Sequence, residues 1–185
     1  RWDRETEQLD LSNYATFAPR FTMEKGKFLI PEVFQFHEFI LQALVRQYLR
    51  NDKNLANFLA RIGVMNIPPD ALEILGEKAF PEGHVDILIK DATPIGVVRK
   101  IIIEVKTGVA QRQHLVQLRG YAEEIGDECV GTALVARNFS PAIVRMAKDM
   151  QIKLFAYSFN QLGGADALFT FEELLRNFGL ESVHT

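Results

Sequence analysis

Lys100-Ile101-Ile102-Ile103-Glu104-Val105-Lys106-Thr107-Gly108 is the stretch on which the fold turns. It belongs to a run, Val97–Val105, so rich in β-branched residues that both faces of a strand here are expected to be covered, as in the middle of a sheet between helices. Before it, Asp91–Gly96 is turn-like, and His84–Lys90 alternates: Val85, Ile87 and Ile89 on one face, His84, Asp86 and Leu88 on the other. Leu72–Lys78 reads as a further strand, set off by Pro81-Glu82-Gly83. After the central strand, Val109–Ile125 has helical period and Thr132–Ala136 is a short buried strand. Ser140-Pro141 caps a helix running to Met150, and Ile152–Tyr157 is another strand.

Upstream, apolar residues from Val33 to Arg50 fall on one helical stripe (Val33, Phe34, Ile40, Leu41, Leu44, Val45, Tyr48), and a short helix follows over Asn54–Ile62. Residues 1–30 show no clear period and are expected to hold loops and short elements. Gly163-Gly164 breaks the chain before a terminal helix near Phe171–Asn177. The sum is α, three β, α, β, α, β: an α/β fold whose mixed central sheet is flanked by helices. Three segments follow: an N-terminal extension (1–30), a core domain (31–160) and a C-terminal helical tail (161–185) packed on it.

With 185 residues, 48% hydrophobic and 24% charged, the chain is long enough for one domain with a sizeable core. No apolar run approaches the roughly 20 residues that span a bilayer. The chain opens on Arg1 with no signal-peptide pattern, and its single cysteine, Cys129, excludes an internal disulfide. The single cysteine fits a reducing interior, and a cytoplasmic setting is expected. The net charge of −3 hides an asymmetry: from Lys90 to Lys153 ten Lys/Arg stand against seven Asp/Glu. A nucleic-acid partner requires only that the surface facing the phosphates be positive.

Glu104 and Lys106 share one face of the central strand and emerge side by side at its end. Alone, they read as a surface ion pair at the strand's end. Asp86 changes that reading, because a carboxylate in the middle of an alternating strand has poor β propensity. The short Asp91–Gly96 connection makes the two strands hairpin neighbours and brings Asp86 across from Glu104. Two carboxylates so close repel unless a divalent cation lies between them. Few oxygen ligands, with room for water and phosphate, describe a Mg²⁺ site, and a lysine beside it orients or deprotonates water and offsets negative charge. Together the three residues make sense as phosphodiester hydrolysis.

Glu38, on the first helix and flanked by apolar neighbours, is either a rim carboxylate or a further acidic ligand. His37 reads as a core histidine. Gln117 and Tyr121, four apart on the later helix, share a face beside Leu118, Ala122 and Ile125, where they either point toward the scissile phosphate or form an ordinary amphipathic edge. Arg112 and Arg119 on that helix are candidate nucleic-acid contacts.

The order Gly83-His84-Val85-Asp86-Ile87-Leu88-Ile89, then Ile102-Ile103-Glu104-Val105-Lys106, then Gln117-Leu118-Arg119-Gly120-Tyr121 resembles the PD-(D/E)xK nuclease superfamily, in particular its RecB-like and NucS-like branch. The resemblance covers about Val33–Tyr157 and rests on G-x-x-D, E-x-K and Q-x-x-x-Y motifs in sequence. It implies a restriction-endonuclease-like core in α-β-β-β-α-β order and a nuclease domain over 31–160. It further implies Mg²⁺ or Mn²⁺ held by Asp86, Glu104 and the carbonyl of Val105, with Glu38 as a further acidic residue. Lys106 would be the catalytic lysine, and Gln117 and Tyr121 the supporting catalytic pair. The implied activity is a DNA endonuclease in repair, recombination or defence. Alternatives are the nuclease part of a restriction or mobile-element system, or an inactive domain of this type that binds nucleic acid. Many relatives form homodimers, although no exposed apolar stripe here demands one. Val85 stands where the family has proline, and Pro69-Asp70 is a decoy at a helix start. One cysteine excludes the branch that carries an iron–sulfur cluster.

Overall fold

The computed structural model describes residues 2–3, 8–9, 19–24, 33–65, 67–80, 83–93, 96–160 and 167–183. In chain order the strands and helices are β1 (Trp2–Asp3), β2 (Gln8–Leu9), β3 (Arg20–Thr22), β4 (Val33–Gln35), α1 (Glu38–Leu49), α2 (Asp52–Ile62), β5 (Leu72–Phe80), β6 (Gly83–Asp91), β7 (Lys100–Val109), α3 (Arg112–Ile125), β8 (Cys129–Asn138), α4 (Pro141–Asp149), β9 (Lys153–Phe159), α5 (Phe171–Asn177) and β10 (Phe178–Val183). Two 3₁₀ turns, Pro69–Ala71 and Gly126–Glu128, lead into β5 and β8.

The architecture is α/β, built on a six-stranded mixed sheet in the order β10-β9-β8-β7-β6-β5. From β5 to β7 the strands form an antiparallel meander. β7, β8 and β9 run parallel, joined through α3 and α4 as parallel strands must be by crossovers. Counted from α1 through β9, with α2 inserted after the first helix, the order is the one the sequence predicts.

Helices cover both faces. Ile87, Ile89, Ile101, Ile103 and Val105 pack toward α1 and α2 with Leu41, Leu44, Leu55 and Phe58. On the reverse face, Leu88, Ile102, Leu134 and Ala136 pack with Leu115 and Leu118 of α3 and Ala147 of α4. This two-sided burial is why Ile101, Ile102 and Ile103 all have at most 1% exposure. At about 1.5–3 kcal/mol for each large apolar side chain, it outweighs the cost of placing a carboxylate, Glu104, in the middle of the same strand, and not at its end as the sequence suggested. Among the described residues no helix is long and apolar enough to cross a membrane.

Four expectations are corrected. Val33–Gln35 is not the start of the first helix; it is a strand parallel to β3, and Phe36 N–H donates to the Thr22 carbonyl at 2.9 Å. The apolar stripe matched helical period there by coincidence, and strand pairing of a β-branched and aromatic pair prevailed. His37 is consequently exposed at the N-cap of α1, and not a core histidine. Finally, Val85 does not share a face with Ile87 and Ile89: it packs with Leu88 toward α3. The alternation breaks at Asp86, beside Glu77 of β5, whose φ is +29°. The C-terminal segment is also more than a helical tail, since β10 pairs antiparallel with β9 and forms one edge of the sheet.

Candidate active site

The antiparallel register of β6 and β7 pairs Ile89 with Ile101, Leu88 with Ile102 and Ile87 with Ile103. Continued by one step, it sets Asp86 opposite Glu104. Regular pairing stops there, and the Asp86 side chain takes over the ladder: its Oδ2 accepts the Val105 N–H at 2.7 Å. Its Oδ1 accepts from Gln42 Nε2 at 2.8 Å. Gln42 lies one turn after Glu38 on α1, so both side chains leave the same face of the helix.

Lys106 draws the acids together. Its Nζ lies 2.6 Å from Glu38 Oε1, 2.9 Å from Glu104 Oε1 and 3.7 Å from Asp86 Oδ2. The N-terminus of α1 thus meets the C-terminal half of β7 through one ammonium. Glu38, Asp86, Glu104 and Lys106, which the sequence singled out separately, form a single cluster.

Its electrostatics are unbalanced. Glu104 is 2% exposed, and while Oε1 faces Lys106, Oε2 is buried with no hydrogen-bond partner among the described residues. Burial, then the neighbouring Asp86 charge, pushes the Glu104 carboxyl up to about 7 despite Lys106. Burial likewise raises Asp86, opposed by the Val105 N–H and Lys106; Glu38 and Glu77 add to the upward push. Burial pulls the Lys106 ammonium down, but the hydrogen bond to Glu38 and the charge and hydrogen bond of Glu104 outweigh it, and its pKa rises.

The remaining sequence candidates are placed as follows. Gln117 Nε2 donates to the Tyr121 hydroxyl at 2.8 Å. That hydroxyl abuts Gly83, the first residue of β6, so closely that a side chain at Gly83 would collide with it. The pair therefore braces the strand three residues ahead of Asp86. Val105 contributes its N–H to Asp86. Arg112 opens α3 just beyond the end of β7 and lines an open hollow of about 770 Å³ with Gln111, Gln113, Val116 and Gln117. Arg119 is not brought to the cluster. It pairs with Glu123 at 2.7 Å and lines a different cavity of about 690 Å³ beside Cys129 and Lys153, where β8 and β9 begin.

Three residues at the site escaped the sequence reading. Gln42 had a legible signal, its position one turn after Glu38. His114, 9% exposed, accepts the Gln111 N–H through Nδ1 at 3.1 Å. Burial lowers its pKa, followed by the positive charge of Lys106, which locates it near the lysine. Glu77 had no signal, because its approach to Asp86 follows from the local break in the β5–β6 ladder.

Whether these residues suit a divalent cation is decided by what the protein leaves unpaired. Among the described residues, no three His, Cys, Asp or Glu side chains converge as a ready-made cage. A buried carboxylate oxygen without a donor, facing a second carboxylate whose charge it resists, is nevertheless the arrangement a cation relieves. The donors are all oxygen, which suits Mg²⁺ or Mn²⁺. The residues fit.

No family model and no curated protein sequence matches the chain. Several solved structures are similar over part of it. A repair endonuclease from Pyrococcus abyssi is 17% identical with a TM-score of 0.38, over 54% of this chain and 43% of that one. The EndoMS–dsDNA2 complex is 22% identical with a TM-score of 0.38, over 57% and 43%. EndoMS in apo form is 15% identical with a TM-score of 0.35, over 56% and 44%. The chain thus spans less than half the length of these proteins, and what its site can do follows from its own geometry.

Proposed function

We propose that the chain carries a divalent-metal-dependent deoxyribonuclease site of the PD-(D/E)xK type, hydrolysing phosphodiester bonds of DNA. The observation that carries this reading is the orphaned, buried Glu104 Oε2 beside Asp86 and Lys106. Asp86 and Glu104 hold Mg²⁺ or Mn²⁺, with the Val105 carbonyl and Glu38 as further candidate donors. The cation, when bound, supplies Lewis acidity toward a phosphate oxygen and the acidity that makes water a nucleophile at neutral pH.

The chain's own residues do the rest. Gln42 and the Val105 N–H occupy one oxygen each of Asp86 and fix its orientation. An ammonium has three N–H donors; Glu38 and Glu104 take two of those on Lys106, which leaves one for a non-bridging phosphate oxygen. Its positive charge is thereby aimed where negative charge grows on the phosphate. Gln117 and Tyr121 act at one remove, holding the start of β6 and through it the position of Asp86.

The test is cleavage of single-stranded, branched and duplex DNA by the purified chain with Mg²⁺ or Mn²⁺, with and without EDTA. Cutting that requires metal and is lost in Asp86→Ala and Glu104→Ala supports the reading. A protein that cuts none of these substrates, or variants that cut as well as wild type, overturns it.

A further inference from the structure

The outer flank of α1 bears two side chains that the cluster does not use. Phe39, next in sequence to Glu38, is 60% exposed. The exposed His37 ring stacks against it, centroids 5.8 Å apart and planes inclined by 27°. Seven residues on, and so nearly in line with Phe39 on the helix, is Arg46. Its guanidinium lies against β5 at Gly76, where any side chain would collide with it. Gly76 pairs with Ile87, the residue after Asp86, so the guanidinium is seated alongside the strand that carries the site.

Arg46 also lacks a counter-charge among the described residues. Its Nε is buried without a hydrogen-bond partner, and no carboxylate forms an ion pair with it among the described residues. A half-buried charge left without a counter-charge is costly, and a bound anion is one thing that offsets it. An exposed large aromatic with one face against His37 offers a stacking surface that needs no particular base. Seven residues of helix separate the two by about 10 Å, which is about three stacked nucleotides at 3.4 Å each.

We propose that the Phe39–Arg46 flank of α1 seats an unpaired stretch of the DNA strand beside the cleaved bond, with a base stacked on Phe39 and a phosphate on Arg46. This rests on the nuclease reading above. It adds a substrate class to it: DNA with an unpaired segment at the site. Neither side chain belongs to the carboxylate–lysine cluster, so binding can be altered here without touching the catalytic groups.

Fluorescence anisotropy in EDTA, with the full chain and a labelled oligonucleotide either single-stranded or paired with its complement, measures this directly across a salt series. Phe39→Ala is expected to weaken single-strand binding about tenfold or more, with a smaller effect on the duplex. Arg46→Gln is expected to weaken binding and flatten the slope of log affinity against log salt by about 0.7, the value for one single-strand phosphate. Arg46→Lys, which keeps the charge, is expected to restore that slope even if the lost packing on Gly76 lowers stability. Wild type that binds DNA while Phe39→Ala and Arg46→Gln match it in affinity and slope overturns the inference and leaves the nuclease reading standing. Equal losses on single strand and duplex overturn the unpaired-base assignment. Wild type that neither binds nor cuts DNA removes both readings.

Discussion

Glu104 meets Lys106 with only one of its oxygens: Oε1 lies 2.9 Å from Nζ, while Oε2, sealed in the same cluster, has no hydrogen-bond partner among the described residues. A buried ion pair arranged for stability would satisfy both oxygens. The half-satisfied pair is what the proposed metal site requires, since there stability would be given up for a ligand.

Replacing Glu104 by Gln should therefore separate stability from activity. The substitution removes a carboxyl that burial and Asp86 together push up to about 7, so it also removes a repulsion that the metal-free protein carries. Glu104→Gln is expected to melt no lower than wild type in EDTA, yet to cut DNA slower by at least about 10²-fold. Added Mg²⁺ should stabilise wild type by about 2.7 kcal/mol at a hundredfold excess over Kd, seen as a higher melting temperature, and the variant much less. Scanning fluorimetry with and without metal checks both; a variant that gains as much as wild type from Mg²⁺ would remove Glu104 from the metal site.

Gly83 and Tyr121 should behave as one unit. Gly83 has φ +152°, and a Cβ there would meet the Tyr121 hydroxyl. Gly83→Ala is expected to cost about 1–3 kcal/mol through backbone strain and displacement of Tyr121, with a fall in activity as the start of β6 shifts. In a Tyr121→Phe background the colliding hydroxyl is gone, so the same substitution should cost less. Urea melts of the four proteins give the coupling; strict additivity would show that the contact is not what constrains position 83.

Much of this site was legible in the sequence because it depends on strand periodicity and on one short connection. Once His84–Lys90 and Val97–Val105 are taken as hairpin neighbours, Asp86 must approach Glu104, and the register bears that out. The first helix was misjudged at its start. Val33 and Phe34 fit a helical stripe as well as a strand, and only the partner strand at Arg20–Thr22 decides between them. Gln42 was overlooked because a glutamine on a helix is unremarkable until the carboxylate it serves is in place. Arg119 was grouped with Arg112 on charge alone; one face of a long helix spans two ends of a sheet, and charge does not say which end a residue occupies.

The hairpin that aligns Asp86 with Glu104 is held at its far end by another acid. Asp91 Oδ2 accepts the Arg99 N–H at 2.9 Å, and Oδ1 lies 2.6 Å from the guanidinium. The hydrogen bond from the Arg99 side chain, which outweighs burial, lowers the Asp91 pKa below its ordinary value of 3.8. A depressed acid stabilises the fold above its unfolded pKa, and that contribution fades as pH falls through the folded value. Asp91→Asn should thus melt below wild type at neutral pH, and the gap should close progressively below about pH 4. A gap that stays constant from pH 7 to pH 2 would show that the charge on Asp91 plays no part.

Lys106 itself should prove to be the counter-charge that lets the metal-free protein fold around its acids. Glu38, Glu104 and Asp86 lie 2.6, 2.9 and 3.7 Å from its ammonium, and the lysine side chain is only 19% exposed. Lys106→Met keeps the length of the side chain and removes the charge, leaving three carboxylates facing one another. Breaking a buried pair in this way costs about 3 kcal/mol or more, which for a chain of this size lowers the melting temperature by roughly 6–12 °C. The loss should be largest in EDTA and partly recovered by Mg²⁺ or Mn²⁺, because a cation and the ammonium neutralise the same acids. Cleavage should not recover with it, since the donor aimed at the phosphate is absent. The variant's metal-induced rise in melting temperature should therefore exceed that of wild type while its activity stays near background. Equal metal-induced shifts in the two proteins would mean that lysine and metal act on separate charges.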